Sequence, residues 1–410
     1  MKVIFCMNDG YNCINGINAW LVRLLPDLKN RGMDIKVFFI AWSPVDQCTT
    51  IPILKKMGID CIEISTSQYT ESCVKWILKK LREDPPDIFV ANHIVPALYA
   101  SRWIKEVGIP TIGVIHNDDH IYEAILNEFV FCKSYYKLSA TVAVSKSLQQ
   151  SIHQRNIGNT ILERIPCGAP IPNNMTKEPN EILRLVYVGR LVDEQKRIID
   201  TTKALCRAVK EIPNTEAFIY GSGSEHDSVE LVLNQEGKDL PIYLMGLINS
   251  DEMQKHLLKY HVIVLLSDYE GIPVSLIESM ACGLVPICTK IESGIPELIT
   301  HNVNGLLVID RGDDFVAAVK RLHDEPNLWK NLSQLARAKV ESDYSHDICV
   351  GKWERLFENI HQSHLPKRPI SIPNILNLPP LNVHLDYDDH REPTIMRKVY
   401  SKLKMFFGRR

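Results

Sequence analysis

The chain has 410 residues, enough for two ordinary α/β domains, and 45% hydrophobic with 23% charged residues is a composition able to bury two sizeable cores. A formal net charge of −2 supplies no overall field toward nucleic acid or an anionic surface, and no apolar stretch reaches the length of a membrane span. The 11 cysteines show no metal-ligand spacing, and Cys6, Cys61, Cys282 and Cys288 sit in apolar runs as small hydrophobes, so reduced thiols and a cytoplasmic setting are expected.

The first apolar run, 3–7, stops at Asn8-Asp9-Gly10; it is too short for a signal peptide and suits a buried strand. Similar runs at 35–40, 88–91, 111–115 and 141–144 predict central strands of a parallel sheet covered on both faces. Helical spacing falls between them, at 17–31, 71–82, 96–107 and 146–155. Strand and helix in alternation imply right-handed crossovers and a doubly wound sheet.

Residues 166–179, PCGAPIPNNMTKEP, break this rhythm and predict an interdomain linker. The pattern then restarts with a strand at 183–188, a helix to about 211, a strand at 217–220 and a helix at 227–235. Further strands are predicted at 242–244, 262–266, 285–288 and 305–309. The expected organisation is a first domain over 1–172, a second over 173–345, a helix at 346–362 crossing back to the first, and an arm over 363–410. Two Rossmann-like halves of this kind face a cleft, with ligands beyond the carboxyl ends of the strands.

The arm is rich in Pro, Asn and Asp from 365 to 393, which predicts a linker or loosely ordered segment. Its end regains helical spacing. Ile395, Val399, Leu403 and Phe406 can share one face, with Phe407 beside them and Arg397, Lys398 and Lys402 among the cations around it. Such a helix could lie on an anionic membrane at the inner face, or dock on the body of the protein or on a second copy.

The densest chemical signal is LLSDYEGIPVSLIESMACGLVP, 265–286. A buried strand runs into a turn carrying Glu270 and Gly271, and Pro273 is expected to open a helix at its first position. The first amides of that helix would then favour a phosphate. Glu270 precedes the helix and Glu278 lies within it, so two carboxylates flank its start. Carboxylates beside a diphosphate require nearby cations, and VYVGRLVDEQKRI at 186–198 offers Arg190 as a planar fork and Lys196, expected at a helix start, as a point charge. Hydroxyl-rich sugar, diphosphate and ribose diol have the matching order of parts.

The Glu270/Glu278 and Arg190/Lys196 pairs resemble those of glycosyltransferase family 4, retaining enzymes of the GT-B fold. YGSGSE at 220–225 resembles that family's glycine-rich turn, and LMGLINSDEM at 244–253 its segment beside the nucleotide base. The resemblance spans most of 1–361 and is strongest over 185–307. It implies that Glu270 holds donor-sugar hydroxyls, Glu278 the ribose diol, and Arg190 and Lys196 the departing diphosphate. Gly16, Gly271, Ile272 and Val274 would line the donor, with Gly221, Gly246 and Leu247 toward the base. His116, after the strand at 111–115, would face the transferred sugar, and Asn92 and His93, at another strand end, could touch the acceptor.

The resemblance also implies transfer with retained anomeric configuration, the leaving phosphate assisting deprotonation of the acceptor. The donor would be a UDP- or GDP-type sugar and the acceptor a saccharide or lipid-linked saccharide of a surface polysaccharide or glycolipid pathway. No cofactor or metal is expected: the family dispenses with a D-x-D motif, and Asp386-Tyr387-Asp388-Asp389, which carries those letters, falls in the irregular arm. Where many relatives have a second glycine after Gly271 this chain has Pro273, which has no amide to donate, and other relatives share it. Alternatives on the same scaffold are a nucleotide-sugar epimerase, a phosphorylase, or a non-enzymatic nucleotide-sugar binder. Asn117, Asp118 and Asp119 are expected to cap a helix.

Overall fold

The computed structural model describes residues 1–11, 16–65, 69–132, 135–248, 252–292, 294–362 and 368–392. The basic segment holding Ile395, Arg397, Lys398, Lys402, Phe406 and Phe407 lies outside them. No helix among the described residues is long and apolar enough to cross a membrane.

The first domain runs in chain order β1 (Lys2–Asp9), α1 (Gly16–Asn30), β2 (Asp34–Ala41), α2 (Thr50–Lys56), β3 (Asp60–Ser65), α3 (Thr70–Glu83) and β4 (Ile88–Asn92). It continues with α4 (Val95–Glu106), β5 (Thr111–Ile115), α5 (His120–Phe129), β6 (Ala140–Ala143), α6 (Lys146–His153) and β7 (Ile161–Arg164). All neighbouring strands are parallel, in the order β3-β2-β1-β4-β5-β6-β7. β4, β5 and β6 are buried along their whole length, as strands covered by helices on both faces must be.

The second domain comprises β8 (Leu183–Val188), α7 (Asp193–Lys196), α8 (Ile198–Glu211), β9 (Thr215–Tyr220), α9 (His226–Gln235), β10 (Ile242–Gly246), α10 (Met253–Leu257) and β11 (Val262–Leu265). Then follow α11 (Val274–Ala281), β12 (Val285–Thr289), α12 (Ile295–Leu298), β13 (Leu306–Val308), α13 (Asp313–Asp324) and α14 (Pro326–Asp343). Its six parallel strands take the order β10-β9-β8-β11-β12-β13. Each sheet reverses its winding beside its first strand, which opens a crevice at the carboxyl end.

α15 (His346–Gln362) returns to the first domain, where Trp353 and Phe357 pack on Phe5 of β1 at ring distances of 6.3 and 6.2 Å. Ala169 and Ser345 form a parallel bridge, so the two segments that join the domains lie side by side.

Three expectations need correction. Pro273 is the residue before the first helical one: its ring fixes φ at −72°, but its ψ is extended at 114°, and its carbonyl accepts from Leu276 and Ile277 as a capping residue's does. Lys196 closes the short α7 instead of opening a helix, since Arg197 turns left-handed (φ 48°) before α8 begins. The arm from 368 to 392 has neither helix nor strand, yet it is not loose: Ile370 and Leu385 are buried, and its backbone bonds to Val107 and Thr70.

Candidate active site

Both sheets direct their carboxyl ends at one cleft of about 480 Å³. Every residue expected in the donor site lines it except Gly246: Glu270, Glu278, Arg190, Lys196 and His116, with Gly16, Gly271, Ile272, Val274, Gly221 and Leu247. Gly246 stands just behind, its carbonyl accepting from the Gly221 amide at 2.8 Å. The local packing demands glycine here. A Cβ at Gly221 would stand 1.9 Å from the Gly189 carbonyl oxygen, and one at Gly271 would stand 2.0 Å from that of His116. The second contact joins the two domains directly.

Glu270 is 4% exposed, and Lys196 Nζ meets its Oε1 at 2.5 Å. A buried carboxylate needs such a partner to stay charged. Gln195, which the sequence did not single out, links Arg190 to the acid, its Nε2 lying 3.5 Å from Glu270 Oε2. Its Nε2 donates to the Tyr269 carbonyl at 3.1 Å, while its Oε1 accepts from Arg190 Nη2 at 2.6 Å. Among the described residues Arg190 forms no ion pair, so its charge stays available at the cleft.

Glu278 is 6% exposed and pairs with Arg23 of α1, another residue unremarked in the sequence, across the domain boundary. Among the described residues, Arg23 Nε and Nη2 are buried without a hydrogen-bond partner. At the start of α11 no side chain caps the helix, and the amides of Val274 and Ser275 precede the first helical hydrogen bonds. Glu270 and Glu278 therefore flank a helix start that favours an anion.

His116 follows β5, and burial holds its pKa well below the ordinary histidine range, so the ring is neutral. Asn92 Oδ1 lies 3.0 Å from Nε2. An amide oxygen only accepts, so Nε2 carries the proton and Nδ1 is left as an acceptor. Trp20 packs edge-on against the same ring at 5.3 Å. Asn92 and His93 do not line the cleft, contrary to the acceptor contact expected of them. Asn92 is 1% exposed and spends its amide on His116 and Met7, while His93 is packed between His116 and Tyr122 with its pKa lowered to about 4 by burial. Asp119 caps α5, accepting from Ile121 and Tyr122 at 3.0 and 3.1 Å, as its position implied.

Comparison with known proteins agrees with this site. Residues 14–171 match the family described as Glycosyltransferase Family 4, and residues 173–339 match Glycosyl transferases group 1. An uncharacterized glycosyltransferase of Methanocaldococcus jannaschii is 30% identical over 82% of this chain and 83% of its own length. The lipopolysaccharide 1,6-galactosyltransferases of Salmonella typhimurium and Escherichia coli are each 25% identical. The first match covers 88% of this chain and 96% of that enzyme; the second covers 59% and 65%. Among solved structures, Anabaena HepE in complex with UDP and glucose superposes with a TM-score of 0.69 at 16% identity, over 88% of this chain and 100% of that one. The two facing parallel sheets, the paired carboxylates with their cations, and these matches together place the chain in glycosyltransferase family 4, as an enzyme of the GT-B fold.

Proposed function

We propose that this enzyme transfers a sugar from a UDP- or GDP-type nucleotide-diphosphate donor to a hydroxyl of a saccharide or lipid-linked saccharide in a surface polysaccharide or glycolipid pathway, with retention at the anomeric carbon. The observation that carries the reading is the bonded series Arg190, Gln195, Glu270 and Lys196 beside the start of α11. The diphosphate lies between that helix start and the two cations, with the ribose diol on Glu278 and the sugar toward Glu270 and His116. His116, neutral and anchored through Nε2, accepts from a sugar hydroxyl at Nδ1.

In the chemical step the bond from the anomeric carbon to the phosphate oxygen breaks, and the bond to the acceptor oxygen forms on the same face. The acceptor proton passes to the departing phosphate, whose charge Arg190 and Lys196 stabilise. Both cleft glutamates are engaged with cations, Glu278 with Arg23 and Glu270 with Lys196, which supports a route without a covalent carboxylate intermediate. The saccharide acceptor rests on the relatives, among them the two lipopolysaccharide galactosyltransferases.

Calorimetric titration with UDP, GDP and their common sugar conjugates tests the donor site. One nucleotide should bind, and Lys196→Ala should weaken it about 10- to 100-fold, the loss expected for a charge-assisted contact. Absence of binding by any of them to folded enzyme would remove the donor-site assignment.

A further inference from the structure

α4 begins without a cap of its own: Ile94 occupies the capping position and offers no acceptor. The missing acceptor comes from the arm, 293 residues later, where Asp388 Oδ2 accepts from the Val95 amide at 2.8 Å. The Asn8 side chain, at the end of β1, bonds the same carboxylate. Asp388 is thus seated between the ends of β1 and β4, at the reversal point of the first sheet, where a doubly wound domain ordinarily receives a ligand anion. Its neighbours are pinned as firmly. Asp389 accepts from Tyr99 Oη at 3.2 Å and pairs with Arg391, whose guanidinium lies 4.9 Å from the Tyr99 ring. The Thr70 amide donates to the His390 carbonyl at 2.7 Å.

The capped end of α4 is joined to Asn92, the last residue of β4, by a turn of two residues, His93 and Ile94. Asn92 adopts a left-handed conformation (φ 53°), uncommon for a non-glycine residue though open to asparagine, which makes the geometry of this strand end distinctive. It is the residue whose side chain orients His116. We propose that the arm is a positioning element for sugar transfer: Asp388 caps α4, the cap fixes the turn at 93–94 and the Asn92 before it, and Asn92 aims His116 into the cleft. HepE is covered in full by 88% of this chain, which therefore carries segments beyond that fold. The proposal rests on the reading of His116 as the group facing the transferred sugar, but its first test does not.

That test follows the His116 imidazole by nuclear magnetic resonance in the full chain, the signal being assigned through His116→Gln. Asp388→Ala should shift the Nε2 proton signal and speed its exchange with water by about tenfold, the size of a lost helix cap. Asp388→Asn retains an oxygen for the Val95 amide and should restore the native signal. Arg391→Gln loosens the arm without touching the cap and should move the signal in the same direction, which keeps the test decisive if the alanine variant folds poorly. Calorimetry with UDP and GDP should give unchanged affinity in all three. With a donor that turns over, Asp388→Ala should lower kcat and leave the donor KM in place. An unmoved His116 signal in both Asp388→Ala and Arg391→Gln would overturn the proposal. Loss of nucleotide binding in the unaltered enzyme would instead overturn the donor reading and leave the positioning result standing.

Discussion

Arg23 and Glu278 come from different domains and meet with side chains only 16% and 8% exposed. Arg23→Leu leaves the carboxylate buried and uncompensated, at a cost of about 3–5 kcal/mol. A ribose diol on Glu278 would supply the donors that Arg23 had provided. The variant is therefore expected to melt below the unaltered enzyme, and the bound nucleotide (UDP or GDP) to raise its melting temperature by more than it raises that of the enzyme itself. Equal shifts in the two proteins would show that the ribose does not reach Glu278. The contrast with Lys196 and Glu270 explains what a sequence discloses at this scale. Those two stand inside dense local motifs that announce charge near a phosphate. Arg23 lies 255 positions from its partner and Gln195 lies 75 from Glu270, so both owe their roles to contacts that exist only after folding.

Among the elements, the arm carries its own dependence on acidity. Burial pushes the Asp388 carboxyl up to about 7, with the charge of Asp389 adding to the effect and the Val95 amide and Asn8 opposing it. The Cys6 and Cys73 thiols also face this carboxylate, both raised by burial, the second to about 12. A carboxyl raised on folding stabilises the docked arm fully below its ordinary value near ~4, and that contribution is lost as pH rises through the folded value. Limited proteolysis within 386–392 should therefore be slower at about pH 5.5 than at about pH 8, relative to Asp388→Asn, whose amide does not titrate. An identical pH profile for both proteins would contradict this. The elements legible from sequence were those with a strong period or a continuous apolar run, such as β4, β5, β8 and α8. β3 and β7 lie at the sheet edge with mixed burial and gave no such signal. The arm's order was invisible for a related reason: its hydrogen bonds go to α3, α4, α5 and the turns around them, and none of that produces a period.

At the scale of the whole molecule, α15 welds the end of the folded body to its beginning. Trp353 is fully buried and sits 5.8 Å from Trp20 and 6.3 Å from Phe5. Trp353→Ala should cost about 3–5 kcal/mol, all of it in the first domain. A calorimetric scan should then show an early transition, with a later one that still responds to nucleotide. A single transition shifted as a unit would mean that the domains unfold together.

The same closure sets an order of events during synthesis. The second domain has all its strands and covering helices between Leu183 and Asp343, so it can complete its core soon after that stretch leaves the ribosome. The first domain, made earlier, must wait with the sites for α15 and for Asp388 unfilled until those residues have emerged. The half of the protein that is translated first is the half that finishes folding last.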